Sequence, residues 1–193
     1  MKTVTIVSDL HVGSSLGLCP EEGMDLGEGG LYMPSKLQTE VSRAWHDFFS
    51  WSLQESEGAQ STTLVINGDA VDGFHHNTVA LATNNIEVQE RAAVEILKPI
   101  TRHFDNFYVV RGTEAHVQAS AQSEERIARA LCAIPSEDGQ HSWWQLWLDV
   151  DGVIFNLAHH IGTTSSAAYE SSAVMRELVA AIVEAGQWGQ HLP

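Results

Sequence analysis

The sequence predicts an α/β fold in which helices pack in layers against a mixed sheet. Apolar, β-branched segments at residues 2–7, 62–66 and 107–110 are typical of buried strands. Two segments between them, residues 35–53 and 86–104, carry apolar residues at helical spacing. Alternating strands and helices, followed by an antiparallel pair and a last helix, are typical of a layered α/β domain.

Local signals bound the elements in the first half of the chain. A long glycine-rich segment, residues 12–34, follows the first strand. Loops of this length usually carry function, so we expect an active-site loop here. Ser35 is suited to cap the first helix, and Pro99 is expected to kink or shorten the second.

The second half of the chain continues with a short helix, a hairpin and a last helix. Residues 123–131 have acidic side chains in the first turn and arginines later, which suits the helix dipole. Residues 143–150 and 153–157 are apolar runs joined by Asp-Gly, a sequence typical of a β-hairpin. The last helix is expected over residues 168–184.

Composition favours one globular domain over residues 1–193 and excludes several classes of protein. Hydrophobic residues make up 44% and charged residues 18%, unlike a disordered acidic chain. The formal charge, 10 − 25 = −15, disfavours binding to nucleic acid through a basic surface. Apolar runs are too short to span a membrane, and the N-terminus lacks a signal peptide pattern. With only two cysteines, a cytoplasmic protein is expected.

Candidate metal ligands follow four successive predicted strands, where open α/β sheets bind their ligands. They are Asp9 and His11, Asp69 and Asp72, Glu114 and His116, and His159 and His160. A single Asp or His at such a place is usually a turn former or a solvated side chain. The repetition at four strand ends instead favours a metal site. Carboxylates and imidazoles without clustered thiolates suit Mn²⁺, Zn²⁺, Fe or Mg²⁺.

The chain resembles the calcineurin-like metallophosphoesterase superfamily in motifs that follow one another in the family's order. They are Asp9-Leu10-His11, Gly68-Asp69-Ala70-Val71-Asp72-Gly73, a glycine-containing motif after the third strand, and His159-His160. The resemblance covers essentially the whole chain. It implies a four-layer α/β/β/α sandwich, two divalent metal ions, and hydrolysis of a phosphomonoester or phosphodiester substrate.

The resemblance also implies roles for individual residues. Asp9 and His11 would bind the first metal ion, and Asp69 would bridge the two ions. Asp72 would lie outside the ligands and orient one of them.

His159 or His160 would bind the second ion in the site that the resemblance implies. Adjacent residues in an extended segment point oppositely, so one of the two is expected to bind and the other to lie near the substrate. His75 and His76, which follow the second motif, are candidates for substrate contact, with simple solvation as the alternative.

The third motif departs from the family's Gly-Asn-His and reads Arg111-Gly-Thr-Glu114-Ala-His116. Glu114 is the candidate to replace the missing Asn as an oxygen ligand. His116 is the candidate general acid that protonates the leaving group. Arg111 either binds a substrate phosphate or forms a structural ion pair. This variant resembles phosphoesterases of phages and prophages.

The family's last motif, Gly-His-x-His, has no counterpart in residues 161–193. We therefore expect a chain truncated before its last strand. The alternative is a site completed by a neighbouring subunit of a homo-oligomer.

Three functions stay open at this point. The first is a metal-dependent phosphoesterase, and the second is a scaffold or binding protein of the same fold with impaired catalysis. The third is a phage DNA-processing nuclease, which the charge of −15 disfavours.

Overall fold

The computed structural model describes four stretches of the chain, which are residues 1–74, 79–117, 122–161 and 171–187. In chain order, their elements are β1 (Lys2–Val7), β2 (Met24–Gly27), β3 (Gly30–Tyr32), α1 (Lys36–Glu55), β4 (Ser61–Asn67), α2 (Ile86–Thr101), β5 (Asn106–Val110), α3 (Glu114–Val117), α4 (Gln122–Ala130), β6 (Ser142–Trp143), β7 (Leu146–Val150), β8 (Val153–Leu157) and α5 (Ser171–Gln187). The predicted α/β class is confirmed.

The chain divides into two compact units, Met1–His159 and His160–Pro193. The first unit contains all eight strands and α1 to α4, and α5 belongs to the second. The expectation of one domain over residues 1–193 remains a prediction. None of the helices among the described residues has the length and apolar character needed to cross a bilayer.

A four-stranded parallel sheet is the centre of the first unit. Its strand order is β1-β4-β5-β6, and every neighbouring pair runs in the same direction. The carboxyl ends of these strands therefore meet at one edge of the sheet. The strand predictions at residues 2–7, 62–66 and 107–110 are confirmed to within one residue at each end.

Adjacent residues of β4 enter two different cores, as expected for a strand buried on both faces. Leu64 and Ile66 belong to the core that includes Phe49 of α1 and Leu97 of α2. Val65 belongs to a smaller core on the other face, with residues of the β7–β8 hairpin packed against it. The parallel sheet thus separates helices on one side from a second sheet on the other.

The helices begin and end largely where the sequence predicts. The Ser35 side chain accepts a hydrogen bond from the Gln38 backbone N–H, and the Gln38 side chain accepts one from the Ser35 backbone N–H, so both bonds of a capping box are present. The second helix contains Pro99 near its end and stops at Thr101, before the predicted residue 104. The predicted last helix is present over Ser171–Gln187, and its predicted first residues, 168–170, lie outside the described residues.

Two sequence predictions about the strands were wrong. The expected mixed sheet is not formed by the described strands, because β7 and β8 pair with each other in a separate antiparallel sheet. The expected strand over residues 143–150 is split, and Trp143 pairs in parallel with Val110. The loop over residues 12–34 also has structure of its own, since β2 and β3 form a hairpin within it.

Candidate metal centre

Six side chains converge at the carboxyl edge of the parallel sheet, and we call them the His/Asp cluster. They are Asp9, His11, Asp69, Asp72, His116 and His159, and each of them is a predicted site residue. Their ligand atoms form two groups of three, with the atoms of each group within 4.8 Å of one another. Asp9, Asp69 and His159 make up one group, and His11, Asp72 and His116 the other.

Backbone hydrogen bonds continue beyond the ends of β1 and β4 and bring the first two motifs together. The Asp9 N–H donates to the Gly68 carbonyl at 3.1 Å, and the His11 N–H donates to the Asp69 carbonyl at 3.0 Å. Further along, the Asp72 N–H donates back to the Val12 carbonyl at 3.0 Å. The two loops therefore lie against each other, and their carboxylates and imidazole face one space.

Each histidine of the cluster has its Nδ1 atom at hydrogen-bond distance from an oxygen. In His11 the partner is Asp72 Oδ1 at 3.0 Å, and in His116 it is the Asp72 carbonyl at 2.8 Å. In His159 it is the Asn67 carbonyl at 2.6 Å. A carbonyl can only accept, so in His116 and His159 it places a ring proton on Nδ1 and directs Nε2 toward the cluster. Metal-binding histidines are commonly held in this way.

The Nε2 atoms of the same three rings face the carboxylates of the first two motifs. His159 Nε2 lies 3.0 Å from Asp69 Oδ2, and His116 Nε2 lies 3.9 Å from the same oxygen. His11 Nε2 lies 3.5 Å from Asp9 Oδ1. Ring nitrogens and carboxylate oxygens thus surround one region, an arrangement that a positive charge, whether a ring proton or a metal ion, would stabilise.

The backbone of the cluster is strained at three of its six residues. Asp9, His11 and Asp69 have φ values of 58°, 45° and 51°, in the left-handed region that residues with side chains rarely adopt. Such strain costs about 1–3 kcal/mol per residue and concentrates at functional sites.

Two glycines leave room for the ligands to approach the backbone. A Cβ atom on Gly68 would lie 2.3 Å from the His159 ring, and one on Gly112 would lie 2.1 Å from Asp69 Oδ1. Gly68 also has a φ of +81°, whereas Gly112 has no such requirement. At Gly112 the backbone conformation would allow any residue, and it is contact with Asp69 that excludes a side chain.

Replacing Gly112 by Ala is expected to weaken metal binding by at least about 10-fold, because the new methyl group displaces the Asp69 carboxylate. Crowding of this kind also destabilises the fold by about 1–3 kcal/mol. Gly186→Ala is the control, since its Cβ meets nothing within 4 Å and its φ is unexceptional. Calorimetric titration with Mn²⁺ measures both variants, and unchanged affinity in Gly112→Ala would contradict the placement of Asp69 among the ligands.

The electrostatics of the cluster are those of crowded carboxylates. Burial alone lowers the pKa of His159, but the Asn67 carbonyl and the charges of Asp69 and Asp9 outweigh it, so the pKa is raised. Behind the cluster, burial raises the pKa of Glu124, and this effect exceeds the lowering by its two backbone hydrogen bonds, so the pKa is about 7. The charge of Asp69 adds to this rise.

In the metal-free chain, Glu124 is expected to make stability fall as the pH rises. Between pH 4.5 and about 7 the unfolded chain loses a proton that the folded chain keeps. The free energy of unfolding therefore decreases over this interval by about 3 kcal/mol and stays lower above it. His159 acts in the same direction, because a raised histidine pKa stabilises at low pH and this contribution is lost as the pH rises through the folded-state pKa.

Urea unfolding at about pH 5 and pH 8 in the presence of a chelator measures this effect. In the Glu124→Gln variant the contribution of His159 remains and that of Glu124 is removed, so its loss of stability should be the smaller. Equal losses in both chains would show that Glu124 titrates near its ordinary pKa.

Several predicted site residues lie outside the cluster. Glu114 is exposed at the first residue of α3, and residues two apart on a helix point about 200° apart, so Glu114 faces away when His116 faces the cluster. His160 is exposed and begins the second unit. His75 and His76 fall outside the described residues.

Arg111 is buried and its guanidinium is held by structural partners. Its Nε donates to Ser142 Oγ at 2.9 Å, another nitrogen donates to Gln140 Oε1, and the group lies 4.4 Å from the ring centre of Trp144. Of the two alternatives left by the sequence, this geometry favours a structural role over phosphate binding, although the partners are neutral side chains.

Residues that support the cluster were missed from the sequence. Thr113 donates its backbone N–H to Asp69 Oδ1 at 2.9 Å. Gln89 is fully buried in α2 and closes the loop after the second motif, accepting from the Gly73 N–H and donating to the Gly73 and Thr83 carbonyls. The signal for Gln89, and for Glu124 in α4, was a polar residue on the apolar side of a helix.

No protein-family model matches the chain, and no curated protein matches it.

The cluster fits divalent metal ions on its own chemistry. Its donors are three imidazoles and three carboxylates, the mixture that borderline and hard divalent cations prefer. The imidazoles are already oriented through Nδ1, and glycines clear the approach of two ligands. Binding of an ion would offset the conformational free energy of the strained backbone at Asp9, His11 and Asp69.

Proposed function

We propose that this chain is a metal-dependent phosphoesterase of the calcineurin-like metallophosphoesterase type, close to the phage and prophage variants. Its substrate is a phosphomonoester or phosphodiester, and its cofactors are two divalent ions from among Mn²⁺, Zn²⁺, Fe and Mg²⁺. The fold proposed with this function is the four-layer α/β/β/α sandwich. The layers of helices, parallel sheet and second sheet in the first unit support that fold.

One observation carries the proposal. Three imidazole Nε2 atoms face the carboxylates of Asp9 and Asp69, while all three Nδ1 atoms are engaged by oxygens behind them. The two groups approach each other between Asp69 Oδ2 and His116 Nε2 and between Asp9 Oδ1 and His11 Nε2, so together they offer enough donors for two neighbouring ions, the arrangement used for phosphoryl displacement. Aggregates of acidic side chains on a surface lack this shared orientation.

The residues of the cluster have different roles in this proposal, either as metal ligands or as a residue that orients a ligand. Asp9 and His11 would hold one ion, His159 would hold the other, and Asp69 would be the ligand shared by both. The Asp72 carboxylate orients His11 from behind. When bound, the ions supply Lewis acidity, neutralising phosphate charge and making water a better nucleophile near neutral pH.

His116 is placed to manage the proton of the leaving group. Its Nδ1 donates to the Asp72 carbonyl, and its partly exposed ring carries Nε2 to the edge of the cluster. When Nε2 is protonated, it can donate to the ester oxygen as the P–O bond breaks. The leaving group then departs as a neutral alcohol instead of an alkoxide.

The proposed activity is tested by the hydrolysis of bis(4-nitrophenyl) phosphate and 4-nitrophenyl phosphate with Mn²⁺. We expect turnover that is abolished by a chelator and restored when Mn²⁺ is added in excess. The ratio of the two rates identifies the preferred ester class. Absence of hydrolysis of both esters at every divalent ion tried would contradict the proposal.

A second candidate is a metal-binding scaffold of the same fold with impaired catalysis. The exposure of Glu114 favours it, because the third motif then provides no carboxylate to the cluster. This candidate predicts Mn²⁺ binding without hydrolysis, whereas the phosphoesterase predicts both.

A further inference from the structure

A fully buried carboxylate lies directly behind the His/Asp cluster. Glu124, in the first turn of α4, has 0% of its surface exposed. Its neighbours on the buried side of the helix are Ser123, Ile127 and Ala128. Carboxylates are almost never buried to this degree unless they are paired or hydrogen-bonded, so its partners explain its presence.

The partners of Glu124 are two backbone amides on loops that leave neighbouring strands. The Gly112 N–H donates to Glu124 Oε2 at 2.6 Å, in the loop after β5. The Ala70 N–H donates to Oε1 at 3.4 Å, in the loop after β4. One side chain therefore links the two loops from the side of α4.

Both amides determine where the Asp69 carboxylate lies. Ala70 directly follows Asp69, so its amide belongs to the peptide group that Asp69 begins. Gly112 directly precedes Thr113, whose N–H donates to Asp69 Oδ1 at 2.9 Å. The Gly112 backbone is also close enough to Asp69 that no side chain fits between them.

We infer that Glu124 is a positioning residue for metal binding, which acts through Asp69 by holding the Ala70 and Gly112 amides in place. It contacts neither the ions nor the substrate. The inference rests on the proposed function only in requiring that the cluster binds divalent cations, and hydrolysis is not needed to test it.

The test compares Glu124→Ala with Glu125→Ala in calorimetric titrations with Mn²⁺. Glu125 is the matched control, because it is the next residue of α4 and accepts hydrogen bonds from the His141 and Ser142 amides, away from the cluster. We expect Glu124→Ala to weaken Mn²⁺ binding by about 10–100-fold, the usual cost of losing a partner behind a ligand. Glu125→Ala should bind within about 2-fold of the wild-type chain, whatever it loses in stability.

The conservative variant Glu124→Gln separates positioning from general stability. Its carbonyl oxygen can still accept from the Gly112 N–H, but its amide nitrogen cannot accept from the Ala70 N–H, so its affinity should lie between those of the wild-type chain and Glu124→Ala. If Glu124→Ala does not fold, the test is the Mn²⁺ affinity of Glu124→Gln compared with that of Glu125→Gln. Weaker binding in the former supports the inference, and equal affinities overturn it.

The two proposals fail in different ways. If the wild-type chain binds no Mn²⁺, both the proposed function and the positioning role are contradicted. If the wild-type chain binds Mn²⁺ and all Glu124 variants match their Glu125 counterparts, only the positioning role is overturned. Binding without hydrolysis contradicts the phosphoesterase alone.

Discussion

Asp69→Asn is expected to abolish metal-dependent hydrolysis. The substitution keeps the shape of the side chain and an oxygen that can accept from the Thr113 amide, so the fold should be preserved. It removes the negative charge of a carboxylate whose Oδ2 lies 3.0 Å from His159 Nε2 in its own group and 3.9 Å from His116 Nε2 in the other. Loss of a residue that only hydrogen-bonds to a metal ligand usually lowers metal affinity or activity by about 10–100-fold. Loss of the shared ligand itself should therefore lower the Mn²⁺-dependent turnover of an aryl phosphodiester by more than about 100-fold.

Asp105→Asn is a close control for this variant. Asp105 Oδ2 accepts from the Thr62 backbone N–H at 2.8 Å and from its hydroxyl at 3.1 Å, as Asp69 accepts from Thr113. It directly precedes β5, at the amino end of that strand, whereas the His/Asp cluster lies at the carboxyl ends. Activity that survives in Asp69→Asn at the level of Asp105→Asn would contradict the bridging role.

His116→Gln is expected to lower the hydrolysis of alkyl phosphate esters by about 10²–10⁴-fold, the usual contribution of a general acid. Esters of 4-nitrophenol should lose much less, because this leaving group is stable as an anion and needs no proton. The measurement is the ratio of turnover on an alkyl and a nitrophenyl ester in both chains. A dependence of the effect on the leaving group is what proton donation predicts.

A ligand role for His116 predicts a different pattern. Its ring lies in a group with His11 and Asp72, so removal of a ligand would weaken Mn²⁺ binding. The losses on the two esters would then be equal. Equal losses accompanied by weaker Mn²⁺ binding would contradict the general acid and assign His116 to the metal ligands.

The sequence predicts those site residues that directly follow a strand, because strands are recognised from the local pattern of apolar residues. Asp9 and Asp69 each follow a buried strand, and parallel strands bring their carboxyl ends to one edge of the sheet. His159 follows a hairpin whose Asp-Gly turn is visible in the sequence. These residues are therefore found from strand boundaries alone.

Other features depend on contacts between distant segments and leave little local signal. Glu124 lies on the apolar side of α4, but nothing in the sequence indicates that its partners are the Gly112 and Ala70 amides. Glu114 was expected to replace a missing ligand, but the short helix α3 turns it away from the side of His116. The separation of the hairpin from the parallel sheet likewise depends on tertiary packing, which periodicity does not encode.

The number of metal ions bound per chain tests the central claim most directly. Equilibrium dialysis against Mn²⁺, followed by elemental analysis, should give two ions per wild-type chain. The Asp69→Asn chain should retain at most one, and the Asp105→Asn chain should still bind two. A wild-type chain that binds no more Mn²⁺ than the Asp69→Asn chain would contradict a dinuclear centre at the His/Asp cluster.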